Sequence, residues 1–129
     1  MDMPTLEIDI GRQVLTAQLD DSQAARDFVS LLPLTMTLND LFRREKYGRL
    51  PRPISESGPR KHAYDVGELI YWSPGPDVAI FYRHDGQGIP EPGVIVLGKI
   101  TGDLQALSRA GSLKATIRIA SPNRDRRLP

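Results

Sequence analysis

Between Gly67 and Tyr82 the chain reads GELIYWSPGPDVAIFY, two hydrophobic runs held apart by Ser73-Pro74-Gly75-Pro76-Asp77. Each proline fixes φ and withdraws a backbone donor, so regular structure stops there and the chain must turn. The flanking runs, Glu68 to Trp72 and Val78 to Tyr82, are β-branched and aromatic and read as strands. The hairpin is either a piece of core or the wall of a site.

The two ends of the chain carry the period of a half-buried strand. Leu6, Ile8 and Ile10 alternate with Glu7 and Asp9, and after Gly11-Arg12 the alternation resumes at Leu15, Ala17 and Leu19. Leu113, Ala115, Ile117 and Ile119 alternate with Lys114, Thr116 and Arg118 near the other end. Between them, DDSQAARDFVSLLP shifts to a helical period: Asp21 or Ser22 can cap, Ala24, Phe28, Leu31 and Leu32 share a face, and Pro33 stops it. Leu34, Met36 and Leu38 return to a strand, EKYGRLP is a further short strand, and VIVLGKI is a buried one. GDLQALSRAG predicts a second short helix, capped by Asp103 and ended by Gly111. RPISESGPRKHA and RHDGQGIPEPG are long loops, and the polar stretch from Arg43 to Lys61 is expected to be the most mobile interior region. So few helices exclude a parallel βαβ stack. A closed antiparallel barrel of about eight strands with two short helices removes the sheet edges most economically.

At 129 residues and 40% hydrophobic content the chain is sized for one domain with a real core, expected over residues 1–120 with a disordered tail at 121–129. A net charge of +1 gives no drive toward nucleic acid or anionic lipid. With no cysteine, neither disulfides nor thiolate chemistry can be involved. The N-terminal MDMPTLEIDIGRQ lacks the pattern of a secretion signal, no apolar run is long enough to span a bilayer, and a cytoplasmic protein is expected. Residues 43–62 hold seven basic groups against Glu45 and Glu56, whereas residues 1–40 hold seven acidic groups against two basic. Solvated, mutually complementary surfaces account for this more simply than an acidic partner does.

GVIVLGKITGDLQALSRAGSLKATIRIA resembles the C-terminal third of cyclophilins, where a strand ending in Gly-Lys leads to a short helix and a closing strand. GELIYWSPGP is similar to the cyclophilin strand that ends in Gly-Pro. With ARDFVSLLPLTMTL and the hairpin, nearly all of residues 4–120 is most similar to the small prokaryotic cyclophilin-like domain family. The resemblance implies an eight-stranded barrel with a packed interior and a groove on its outside, where cyclophilins isomerise the bond before proline with an arginine near the prolyl carbonyl. By position it places Trp72, Ser73 and Pro74 beside the proline pocket and Ile80 or Phe81 at the pocket's phenylalanine. The departures are specific: Val94 stands at the groove histidine's position, GIPEPG has no counterpart to the loop tryptophan, and no Phe and Gln surround an Arg in LTMTLNDLFRREKYGRLP. Arg49 is the one arginine of that strand to nominate as catalytic.

Other chemistry finds little support. His62 and His84 lie far apart in polar loops without metal-ligand spacing, DGQG has no following helix to aim amides at a phosphate, and no nucleophilic triad stands out. Trp72 has two readings, a core or rim aromatic and a ligand wall, of which the first is the commoner. The expectation is therefore a non-catalytic binding domain whose groove takes a small molecule or an extended, proline-containing peptide, without metal or cofactor. The alternative is a divergent peptidyl-prolyl isomerase, and a third is an interaction domain acting through its basic loop.

Overall fold

The alternating stretch at the start pairs as a hairpin. Strands β1 (Thr5–Ile10) and β2 (Gln13–Leu19) run antiparallel around Gly11, whose φ of +61° supplies the left-handed residue of the tight turn. In the computed structural model, which describes residues 3–121, six more strands follow: β3 (Leu34–Leu41), β4 (Glu45–Arg49), β5 (Glu68–Trp72), β6 (Asp77–Phe81), β7 (Ile95–Thr101) and β8 (Leu113–Ile119). Around the barrel they are ordered β1-β2-β7-β5-β6-β4-β3-β8, and β8 closes on β1 with Ile8 opposite Ile117. Every pairing is antiparallel, so the closed barrel leaves no free edge. The expected meeting of the first and last strands is thus observed.

Alternation sorts the side chains into two apolar groups. Leu6, Ile8 and Ile10 point inward with Ala17, Leu38, Leu69, Tyr71, Val78, Ile80, Leu97, Ala115 and Ile117. A second group, built on Ile70, Ala79 and Phe81, lies outside the wall. Helix α1 (Gln23–Ser30) closes the inner core with Ala24 and Phe28, and Leu31 and Leu32 pack against it as their spacing predicts. Ser22 is the cap, its hydroxyl accepting from the Ala25 N–H at 3.1 Å.

The second expected helix is corrected: Gln105–Ser108 form only a 3-10 turn. Asp103 does accept from the Gln105 N–H, at 2.9 Å, but Arg109 is already extended. The carbonyls of Arg109 and Gly111 are instead turned to Lys46 Nζ, at 2.6 and 2.5 Å, and a tertiary hydrogen bond takes the place of another helical turn. The loop after β4, expected to be mobile, sends Leu50 and Ile54 into the core. The tail expected to be disordered lies, from residue 122 on, outside the described residues. No helix among the described residues is long and apolar enough to cross a membrane.

Candidate functional site

Three cross-strand rows make the outer wall of the barrel over β4, β6 and β5. Glu45 faces Phe81; Tyr47 faces Ala79, which faces Ile70; Arg49 faces Asp77, which faces Trp72. Residues directly opposite in an antiparallel pair share a face, so all of these side chains project outward together. The two long loops fold over this face. Tyr64 from the first stacks on Phe81 with ring centroids 4.0 Å apart, and Ile89 and Val94 from the second complete the outer apolar cluster. Asp85 fastens the loops to each other, its Oδ1 accepting from the Tyr64 hydroxyl and its N–H donating to that oxygen, both at 3.0 Å.

The rows and loops leave a cavity of about 310 Å³, walled by Tyr47, Trp72, Asp77, Ala79 and Phe81 from the strands, Leu41, Phe42, Arg44 and Glu45 from the β3–β4 hairpin, and Ile89 and Pro90 from the second loop. That volume is at the small end of ligand pockets, suited to one ring or one side chain. A second opening beside it shares Phe42, Arg44 and Pro90.

The hairpin at its mouth has an unusual turn. Arg44 N–H donates to the Leu41 carbonyl at 3.0 Å, and the two central residues, Phe42 and Arg43, have φ of +59° and +52°. A turn with two positive φ values normally calls for Asn or Gly, so a phenylalanine and an arginine there carry backbone strain. The result is Phe42 standing 68% exposed at the cavity's edge.

Arg44 itself is buried. Its guanidinium lies 5.4, 5.3 and 5.5 Å from the ring centres of Phe42, Tyr64 and Phe81, and its Nε and Nη2 both donate to Glu45 Oε1, with Asp85 3.8 Å from Nη1. Burial works against the Arg44 charge, but the hydrogen bond and charge of Glu45 outweigh it and hold the guanidinium protonated. Burial pushes the Glu45 carboxyl up further than Arg44 pulls it down. Asp77 is also raised, by burial, against the weaker pull of Arg49.

Of the residues expected at a site, Trp72 and Phe81 line this cavity. Ile80 does not: it pairs with Leu69 and faces the barrel interior, so that of the two only Phe81 is on the cavity side. Ser73 and Pro74 occupy the β5–β6 turn outside the lining, Ser73 Oγ accepting from Arg60 Nη1 at 3.4 Å and Pro74 lying exposed. Arg49 is on the same face and in the row of Asp77 and Trp72, but it is exposed and outside the lining. Val94 is buried in the outer cluster and bridges to Lys61. Phe42, Arg44 and Glu45 are not among the residues expected at a site, although Glu45 opens the expected strand EKYGRLP. The alternation of Glu45 and Tyr47 in EKYGR was the available sign that this strand has an outward face. Among the described residues no group of three His, Asp or Glu could hold a metal ion.

A search of curated proteins finds no match. Among solved structures, a hypothetical protein from Archaeoglobus fulgidus, determined in solution, is similar with a TM-score of 0.73 and 21% identity over 91% of this chain and 95% of its own. At that identity the likeness concerns the fold. The family description "Cyclophilin-like family" matches residues 8–118, which takes in all of the barrel but the first residues of β1 and the last of β8. On that match, and with the closed eight-stranded barrel it requires, the chain belongs to the cyclophilin-like family.

Proposed function

We propose that this domain is a binding module whose outer-wall cavity takes a small molecule, or one side chain of an extended peptide, without isomerising it. The observation that carries this reading is the state of Arg44. It is the one arginine among the described residues lining the cavity, and it is buried and committed to Glu45. An isomerase of the cyclophilin type needs an arginine free to donate to the prolyl carbonyl. Arg44 is held by two hydrogen bonds to Glu45 and packed among three aromatic rings, and Arg49 stands outside the lining. The walls otherwise suit binding: rigid strands carry Tyr47, Trp72 and Phe81, so little side-chain entropy is lost when a ligand packs on them.

Trp72 is the only tryptophan, so its fluorescence reports directly on the cavity. Proline-containing peptides and small aromatic compounds are expected to change that emission saturably, while a protease-coupled peptide assay shows no acceleration of the cis–trans step. Isomerisation at the rate of authentic cyclophilins would replace this reading with the divergent isomerase, and Arg49→Ala and Arg44→Ala would then identify the donor.

A further inference from the structure

We propose that the cavity recognises its ligand through a positively charged organic group, an alkyl- or arylammonium, with Asp77 as counter-ion and Trp72 and Tyr47 as the aromatic surfaces against it. This rests on the reading that the cavity binds a ligand. The lining holds two carboxylates, Glu45 and Asp77, against one guanidinium. That guanidinium is already matched by Glu45, with Asp85 close behind. Asp77 is different: its carboxylate has no hydrogen bond or ion pair among the described residues, and its electrostatic neighbour Arg49 is exposed and not within ion-pair distance.

The rows put aromatic faces where such a cation would sit. Trp72 is the direct cross-strand partner of Asp77, and Tyr47, opposite Ala79, is in the next row. A cation between them gains from the ring quadrupoles and from a carboxylate that burial has already partly stripped of water. An anionic ligand meets two carboxylates, and the one guanidinium of the lining is already matched by Glu45. A neutral one leaves Asp77 unpaired in a site it has just sealed. The three ligand charges therefore rank in one order.

The test is a titration of Trp72 fluorescence at neutral pH with three probes of one shape: benzylamine, which is protonated there, benzyl alcohol and benzoate. Benzylammonium is expected to bind at least about tenfold tighter than benzyl alcohol, the scale of one desolvated cation–π or ionic contact, with benzoate weakest. In Asp77→Asn, checked by thermal melt to be folded, the preference for the ammonium should collapse to near unity. If benzyl alcohol binds the unmodified protein as tightly as benzylamine, the charge proposal is wrong and the cavity reading stands. If none of the probes changes Trp72 emission, both fall. A folded Asp77→Asn that keeps the full preference removes Asp77 as the counter-ion. The probe series on the unmodified protein decides the charge question whether or not the variant folds.

Discussion

Tyr71 and Trp72 are chain neighbours on opposite sides of one wall. Tyr71 is fully buried inside the barrel, where its hydroxyl accepts from the Ile54 N–H at 3.2 Å. Trp72 stands outside, half-buried and facing the cavity. Their removal should therefore differ in kind. Tyr71→Ala is expected to cost about 3 to 5 kcal/mol, the range for emptying an aromatic from a packed core, and Trp72→Ala clearly less. Tyr71→Phe keeps the ring and orphans the buried Ile54 donor, at about 1 to 3 kcal/mol. Denaturant melts of the three variants give the order, and a Trp72→Ala loss as large as that of Tyr71→Ala would put Trp72 in the stabilising core.

Gly98 leaves no room for a side chain between β7 and β2. A Cβ built there would lie 2.2 Å from the Gln18 carbonyl oxygen and 2.9 Å from Leu19 Cα, beside the irregular register where β5 meets β7. Backbone cannot swing aside as a side-chain tip can. Gly98→Ala should therefore force β2 and β7 apart and cost about 1 to 3 kcal/mol or more, as overpacking does. Gly58→Ala is a comparison set in open space, though its φ of +112° carries its own strain. Chemical denaturation should show Gly98→Ala as the worse of the two.

How legible this was depended on whether a residue's role follows from the strand period. Leu6, Ile8 and Ile10, and Leu113, Ala115 and Ile117, could be read because alternation maps directly onto inside and outside. The opposition of Tyr71 and Trp72 was readable for the same reason. The choice between Ile80 and Phe81 was not, since it turns on the pairing of Ile80 with Leu69, a register that no local pattern specifies. Arg44 and Glu45 were hidden for a further reason. They are polar residues buried by loops some tens of positions away in sequence, and nothing in LFRRE shows that Tyr64 and Ile89 will cover that face. The missing last helix has the same origin: a distant lysine claims the carbonyls that a helix would have used.

The Arg44–Glu45 pair should behave as a buried pair, costly to halve and cheap to replace. Arg44→Leu leaves Glu45 without its partner at about 3 to 5 kcal/mol, and adding Glu45→Leu should recover much of that. Removing Arg44 also takes away what pulls the Glu45 carboxyl down. Its folded pKa then rises further above the unfolded value, so its ionisation is a penalty that appears as pH rises. Arg44→Leu should accordingly fall furthest behind the unmodified protein at neutral and alkaline pH and regain ground in mild acid. Melts from acid to neutral pH check this, and a gap that widens toward acid would contradict it.

The last prediction concerns the buried Lys46, whose Nζ holds Asp40 at 3.1 Å as well as the two carbonyls from the 3-10 turn. Tyr82 completes the group by donating its hydroxyl to Asp40. Burial alone would raise Asp40, but the hydrogen bonds from Tyr82 and Lys46 overcome it and hold the carboxyl below its ordinary 3.8. A carboxyl depressed in the folded state contributes stability above its unfolded pKa and loses it as pH falls through the folded one, so this contribution disappears in acid below about pH 4. Tyr82 runs the other way. Burial first, and then the Asp40 bond and charge, push it up to about 12 from 10.0, so its contribution is complete below 10.0 and is lost as pH rises toward 12. Tyr82→Phe removes one of the bonds that depress Asp40, so acid unfolding should begin at a higher pH than in the unmodified protein. The same variant should lack the latest tyrosinate absorbance change in an alkaline titration. An unchanged acid midpoint together with an unchanged alkaline titration would mean that Tyr82 is not coupled to Asp40.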